Sequence, residues 1–532
     1  MPLRLPTFDR ERRELQQEIC YPDPVLPSLP DFTPALGFDV NDFGLTHDQV
    51  SKLQKAAIHR YPSYNSLDTT LSESTAPRKD AQWSELGADK LRLPPKHHGW
   101  LWRRFRKTFM SAYSRVFTLI VLSNLVGVLL LFQGTGIADI DLNVLGTWAS
   151  TNFTVAILVR QDFWVNVIFR TAWLVPWSTP LILRRIVARV YALYGGIHSG
   201  AAIAGTLWFT GFTTLITLRF LGQEMYTLPI ITLAWIIFAF LLSVLLFTAP
   251  CLRKRYHNTF ELTHRFLGWT SILLFWTQLL LLTDQSSEHT GIDFGVVLVR
   301  QATFWNLSII TLMLMIPWLR LRRWTFVPEK LSSHAMRLHF SNPVHRFSCL
   351  SISTSPLLEW HPFATFPSID SLQPGGSLVV SAAGDWTQSL INCPSPRTTF
   401  WIKGSPKAGV LSLSCIFRRV IFVTTGSGIG PCLGSLLDRP SGQFVRLIWS
   451  ARSPLETFGK RLVQEVEVAD PDAIIIDTDE IGRPDLLRIA WKMWKDLDAE
   501  AVFVLSNEKV TRKIVYGLEN RGVPAFGPIF DS

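Results

Sequence analysis

A chain of 532 residues has room for several domains, and at 48% hydrophobic and only 18% charged it is too apolar for an ordinary soluble protein. Its formal charge of +10 does not mark a nucleic-acid binder, because the Lys and Arg gather at the ends of apolar runs, where membrane topology explains them better. Six cysteines with neither a CxxC pair nor metal-ligand spacing exclude a disulfide framework and a zinc module, and read as reduced and structural.

Residues 1–100 are rich in Pro, Ser, Asp and Glu and predict a cytosolic, largely disordered arm. No signal-peptide run follows Met1, so the first membrane helix is expected to direct its own insertion. Residues 101–325 predict a six-helix transmembrane domain, with apolar spans at Val116–Phe132, Phe163–Leu183, Val190–Leu218, Tyr226–Leu252, Phe266–Leu282 and Ala302–Leu319. Basic residues cluster at alternate ends: Arg103, Arg104, Arg106 and Lys107 before the first span, Arg184, Arg185 and Arg189 after the second, Arg253, Lys254, Arg255 and Arg265 before the fifth, and Arg320, Arg322 and Arg323 after the sixth. That alternation places both termini in the cytosol, with the plasma membrane favoured over an internal one. Leu158-Val-Arg-Gln161 recurs as Leu298-Val-Arg-Gln301, each followed by Pro-Trp, as an internal repeat or a chance likeness. Asn152-Phe-Thr154 reads as a glycosylation acceptor close to a helix end.

Beyond Arg323 short alternating runs such as Met336–Phe340, Ser377–Ser381 and Thr398–Ile402, set between Pro and Gly turns, predict an antiparallel β-barrel over residues 326–415. Residues 416–532 alternate strand and helix, which predicts a parallel, doubly wound sheet. Within it Val423-Thr-Thr-Gly426-Ser-Gly428-Ile-Gly430-Pro431 joins an apolar strand to a helix, the setting in which backbone amides and a helix N-terminus receive a pyrophosphate. His361-Pro362-Phe363 and Lys403-Gly404 precede it, in the order of a flavin site followed by a nicotinamide site.

Those stretches, with Tyr256–His264, Gly384-Asp-Trp-Thr387, Ile448–Arg452, Gly482-Arg-Pro484 and Gly527–Ser532, resemble the ferric reductase and NADPH oxidase superfamily over roughly residues 100–532, and within it the TmpA-type fungal membrane flavoproteins. The resemblance implies that His361, Pro362 and Phe363, with Thr365 and Ser368, cradle FAD, and that Lys403 and Gly404 approach its pyrophosphate. It implies that Gly426, Gly428, Gly430 and Pro431 hold NAD(P)H, with Arg452 and Arg483 at the adenosine phosphate; a 2′-phosphate contact would make the donor NADPH rather than NADH. Ser506 stands where the family has a cysteine beside the nicotinamide, and Phe530 where related reductases place an aromatic over the flavin.

In haem-carrying relatives two histidines roughly four helical turns apart on the third helix face two on the fifth. Here His198 and His264 remain, while Arg184 and Gln278 stand where their partners belong, fourteen positions away. On that ladder the two histidines fall at different levels, and haem is doubtful. Arg184 is expected to reach back to the cytosolic edge as a topology anchor. The sequence therefore reads as an integral membrane oxidoreductase passing hydride from NAD(P)H to FAD and on to an unidentified, cytosolic or lipophilic small-molecule acceptor. The alternatives are transmembrane electron transfer through an atypical haem, and a non-enzymatic redox sensor or signalling scaffold. Lipid and nicotinamide nucleotide are the expected partners, and nucleic acid is not.

Overall fold

The computed structural model describes residues 92–109, 111–136, 139–222, 226–367 and 375–530. The disordered arm, Cys20 and Ser368 lie outside them. The helical part runs α1 (Trp100–Phe109), α2 (Ala112–Gly134), α3 (Leu142–Leu158), α4 (Asp162–Trp173), α5 (Leu181–Val187), α6 (Leu193–Leu221), α7 (Leu228–Thr248), α8 (Pro250–Arg255), α9 (His257–Thr290), α10 (Phe294–Arg300) and α11 (Ala302–Leu319). By length and composition five segments can cross a membrane: α2, the stretch Leu181–Leu221, α7, α9 and α11. Helices α3 and α4 pass the same test together, bent by 64° at their junction, and make a sixth if the pair is one broken span.

The second candidate span therefore differs from the expected Phe163–Leu183. It begins at Leu142, and the chain turns at Leu174–Pro180 where a continuous helix was expected. Helix α3 hides from an apolarity scan because its polar residues find partners inside the bundle. Asn152 Nδ2 donates to Asn124 Oδ1, and Asn306 Nδ2 donates to Ser150 Oγ and Thr151 Oγ1. Asn152 is thus buried in mid-helix, which excludes it as a glycosylation acceptor. Glycines let α6 close on its neighbours: a Cβ at Gly196 would fall 2.8 Å from the Tyr113 carbonyl oxygen, and one at Gly205 would fall 2.9 Å from the Phe153 ring. Both copies of the Leu-Val-Arg-Gln repeat end at a helix junction, with Gln161 heading α4 and Gln301 heading α11.

Strands β1 (Arg322–Lys330), β2 (Ala335–Phe340), β3 (Ser348–Ser353), β4 (His361–Pro367), β5 (Gly376–Ser381) and β6 (Thr398–Ile402) form an antiparallel barrel in the order β4-β5-β2-β1-β6-β3, closed by β3 on β4. The short β7 (Lys407–Ala408) adds to β3, and α12 (Asp385–Asn392) links β5 to β6. Register is fixed by alternation: Phe326, Leu338, Leu350, Leu378 and Phe400 point inward to one aromatic and aliphatic core.

The second sheet is parallel, ordered β10-β9-β8-β11-β12. Its elements run β8 (Arg419–Thr425), α13 (Ile429–Leu437), β9 (Phe444–Ala451), α14 (Pro454–Ala469), β10 (Ile474–Asp477), α15 (Leu486–Asp496), β11 (Ala501–Leu505), α16 (Glu508–Glu519) and β12 (Ala525–Phe526). Phe422, Trp449 and Phe503 are wholly buried on one face, and Ile421, Ile448 and Val502 on the other, as a sheet covered on both sides requires. Barrel and sheet are joined by a buried ion pair, Arg337 Nη1 to Glu465 Oε1 at 2.8 Å.

The barrel and the parallel-sheet domain rest on the basic ends of the helices. Arg184 of α5, 5% exposed, donates through both terminal nitrogens to Glu500 at 2.8 Å, and further to the carbonyls of Thr179 and Ile416. Lys254 pairs with Glu508 at 2.7 Å, and Arg265 donates to the Leu357 and Leu358 carbonyls. Arg184 is thus a docking residue rather than a group reaching for water, because a carboxylate from the parallel-sheet domain comes to meet it.

Candidate functional site

In a parallel sheet ligands gather beyond the carboxyl ends of the strands, where the chain turns into the helices. Here that edge carries Gly426-Ser427-Gly428 after β8, Arg452 after β9, Arg483 beyond β10 and Ser506 after β11. Gly426 has φ +52, a backbone form that favours glycine, and the space its Cβ would take is open. Gly428 needs glycine for a different reason: its φ of −61 is ordinary, but a Cβ would lie 2.3 Å from Thr424 Oγ1 and 2.8 Å from the Leu505 carbonyl oxygen. Trp449 Nε1 donates to the Gly426 carbonyl at 3.0 Å and fixes the turn from beneath. Ser506 meets the same turn through a hydroxyl contact with Thr425. Arg452 and Arg483 are exposed beyond their strands.

Helix α13 carries Gly430 and Pro431 from this turn onto the barrel. A Cβ at Gly434 would approach the Thr365 carbonyl oxygen to 2.5 Å, and one at Gly430 would touch Val379 at 3.6 Å. The helix that the glycine turn opens is therefore packed against β4, the strand that carries His361, Pro362, Phe363 and Thr365. His361 stacks on Trp386 with ring centroids 4.0 Å apart and planes at 19°, and Phe363 lies 6.3 Å from the same indole. His361 Nε2 is buried without a hydrogen bond; Glu359 Oε2 is 3.4 Å away but out of line. Thr365 is buried and donates to the Ser348 carbonyl, which makes it a strut of the barrel.

The Lys403-Gly404 turn faces the helices. Gly404 has φ +62, and a Cβ there would strike Asp162 Oδ2 at 2.1 Å. Asp162 also accepts from Ser405 N and pairs with Lys407 at 2.7 Å. The Lys403 ammonium lies 5.7 Å from both the Trp318 and Trp360 rings. Burial, then the charges of Lys407 and Arg265, hold its pKa below the usual lysine value. Phe530 is half-buried, and Arg253 Nη2 of α8 donates to its carbonyl at 2.5 Å.

Burial favours the protonated thiol at three cysteines: Cys349 is pushed up to about 11, and Cys415 and Cys432 to about 12. Among the described residues, Cys251, Cys349, Cys415 and Cys432 are free thiols.

The two bundle histidines are neighbours, not members of separate levels: their ring centroids are 6.1 Å apart. Helices α6 and α9 both start at the basic end, so the second turn of one lies beside the second turn of the other. His198 Nδ1 donates to the Ala156 carbonyl at 2.8 Å, the carbonyl being able only to accept. Further along, Gln278 is buried with both amide atoms unpartnered, as is the Thr213 hydroxyl.

Trp386, Asp162 and Glu500 escape a reading of the sequence. Trp386 stands in the Gly384-Asp-Trp-Thr387 stretch that carries part of the resemblance, which is signal for a role but not for a stack on His361. Asp162 and Glu500 give no local signal, because their partners are 245 and 316 positions away.

Residues 410–532 match the family model described as the C-terminal domain of adenylate-forming reductase 03009. Two curated proteins of Coprinopsis cinerea are similar to most of the chain. Adenylate-forming reductase 06235 is 39% identical over 469 residues, 88% of this chain and 44% of that protein. Adenylate-forming reductase 03009 is 38% identical over 491 residues, 89% and 46% respectively. The chain thus spans about half the length of the curated relatives it matches. A ferredoxin NADP+ reductase from Neisseria gonorrhoeae aligns with 39% of this chain and 98% of its own, at 16% identity and a TM-score of 0.31, a likeness too slight to carry inference. The relatives are proteins named adenylate-forming reductases, and they lend the narrower TmpA-type resemblance no support.

Proposed function

We propose that this chain is a membrane-seated reductase module in which the barrel holds FAD, the glycine turn holds NAD(P)H, and hydride passes from the nicotinamide to the flavin and on to a cytosolic or lipophilic acceptor. The observation that carries this reading is the close approach of α13 to β4, which brings the Gly426–Gly428 turn and the His361 strand to one junction between two sheets. The residues fit the cofactors: the buried Nε2 of His361 makes no hydrogen bond and has only Glu359 at 3.4 Å, and open ground lies above a left-handed Gly426 at a helix N-terminus. When bound, the flavin supplies the redox chemistry, and the chain orients donor and flavin and keeps water out. The word reductase in the relatives' names agrees; the adenylate-forming activity named there belongs to proteins about twice this chain's length. The length and apolarity of the helices support a membrane setting for the module, and the clustering of basic residues at alternate helix ends supports a cytosolic side for those ends.

Purified chain in detergent is expected to be yellow, and His361→Ala to lose most of its flavin while the helices stay folded. Flavin content by absorbance, beside the circular dichroism of the helices, decides it; equal flavin in both proteins removes His361 from the site. Arg452→Ala and Arg483→Ala are each expected to weaken NADPH by about tenfold and NADH much less, the loss of one charge-assisted contact to a 2′-phosphate. Equal losses for the two nucleotides in a binding titration would cancel that assignment.

One observation favours a second reading, electron transfer through a single haem. The 6.1 Å between the His198 and His264 ring centres is near what two imidazoles keep when each bonds one metal at ~2 Å, and His198 Nδ1 is already engaged. A pyridine haemochrome assay on protein made with ample haem separates the readings. One haem per chain that vanishes in His198→Ala supports the second; none supports the first.

A further inference from the structure

Helix α1, Trp-Leu-Trp-Arg-Arg-Phe-Arg-Lys-Thr-Phe over Trp100–Phe109, has basic residues and no acidic one. At 100° per residue Leu101, Trp102, Phe105 and Phe109 fall within one sector, and positions 103, 104, 106 and 107, all Arg or Lys, fall within the opposite one. Among the described residues nothing covers the apolar sector: Leu101 is 73% exposed and Phe109 59%. Its aromatic rings line up along the helix, Trp102 to Phe105 at 5.7 Å and Phe105 to Phe109 at 5.4 Å.

Position identifies the occupant. Helix α2, the first span, starts at Ala112 behind the Ser111 cap, so α1 ends where the bilayer begins. The segment before α1 is tied to the nucleotide domain: His97 N donates to the Asn520 carbonyl and Arg521 Nε to the Pro94 carbonyl. Helix α1 is therefore strung between the soluble module and the first span, on the side where the basic helix ends lie.

We propose that α1 lies in the headgroup layer of an anionic phospholipid leaflet, its aromatic sector among the acyl chains and its basic sector against the lipid phosphates and carboxylates. An aromatic stripe opposite four cations in ten residues matches such a surface. It would anchor the reductase module and set its height above the membrane. This proposal rests on the reading that the bundle spans a bilayer.

The test reconstitutes the full chain in vesicles doped with photoactivatable phosphatidylserine or, separately, phosphatidylcholine, and maps the labelled peptides by mass spectrometry. The serine probe is expected to label 100–109 several-fold more than the choline probe, since each basic residue at such a surface is worth about fivefold in partition. The combined variant R103Q, R104Q, R106Q and K107Q should equalise the probes, and so should high salt. Equal labelling by the two probes in the parent chain, or no label on 100–109, overturns the proposal. So does a preference that persists in the combined variant. Alkaline carbonate extraction tests the spanning reading separately. A retained chain without lipid preference refutes only the role of α1, whereas a stripped chain that still prefers the serine probe upholds it.

Discussion

Gly428→Val is expected to abolish NAD(P)H binding and leave the flavin in place. The new side chain has no room where Gly428 stands, 2.3 Å from Thr424 Oγ1 and 2.8 Å from the Leu505 carbonyl as measured from a Cβ. Relief requires the turn to move off β11, which carries its amides away from the pyrophosphate and breaks the Thr425 contact with Ser506. Losing two hydrogen bonds to a charged ligand costs ~3–6 kcal/mol, a hundredfold or more in affinity. The barrel shares none of those atoms, so flavin content should match the parent. Titration of nucleotide against the flavin absorbance checks both halves. Parent-like affinity in Gly428→Val would place the nucleotide elsewhere.

The second large effect concerns the dock between the helices and the nucleotide domain. Glu500→Ala leaves the Arg184 guanidinium buried without its carboxylate, at an expected cost of about 3–5 kcal/mol. Arg184→Met combined with Glu500→Ala should recover much of that loss, because removing both charges removes the penalty of burying one alone. Thermal denaturation of the three proteins tests this; a double variant no better than Glu500→Ala would show that the pair is not the source. Burial pushes the Glu500 carboxyl up, but hydrogen bonds from Arg184 and the Arg418 N–H, with the Arg184 charge, outweigh it and hold the carboxyl below the usual range. A depressed carboxylate stabilises the fold above its unfolded value, ~4.3, and loses that contribution as pH falls through the lower folded one. The dock should accordingly be insensitive to pH near neutrality and weaken only in acid, and the acid-induced difference should be absent from the double variant.

Which features could be read from the sequence follows from the range of the forces that set them. The helix Ala302–Leu319 was legible to the residue, and three barrel strands and most strands of the parallel sheet nearly so, because period-2 alternation, apolar runs and glycine turns are written locally. The bent pair α3 and α4 was not. Ser150, Asn152 and Thr154 look like breaks in an apolar run until Asn124 and Asn306 supply their partners. The neighbouring histidines were misread for a related reason: counting along one helix fixes heights within that helix, not the offset between α6 and α9. The glycine turn was legible because close backbone approach leaves glycine no substitute. The docking role of Arg184 was hidden because a basic residue at a helix end looks the same whether water or a distant glutamate receives it.

Anaerobic addition of NADPH, and separately NADH, to the purified, flavin-loaded chain is the most direct test of the central reading. Bleaching of the flavin's visible absorbance in the parent, lost in Gly428→Val, is the result this account requires. A chain that binds no flavin, or binds it and leaves it oxidised under both nucleotides, would contradict the reductase reading and turn attention to a nucleotide-sensing scaffold.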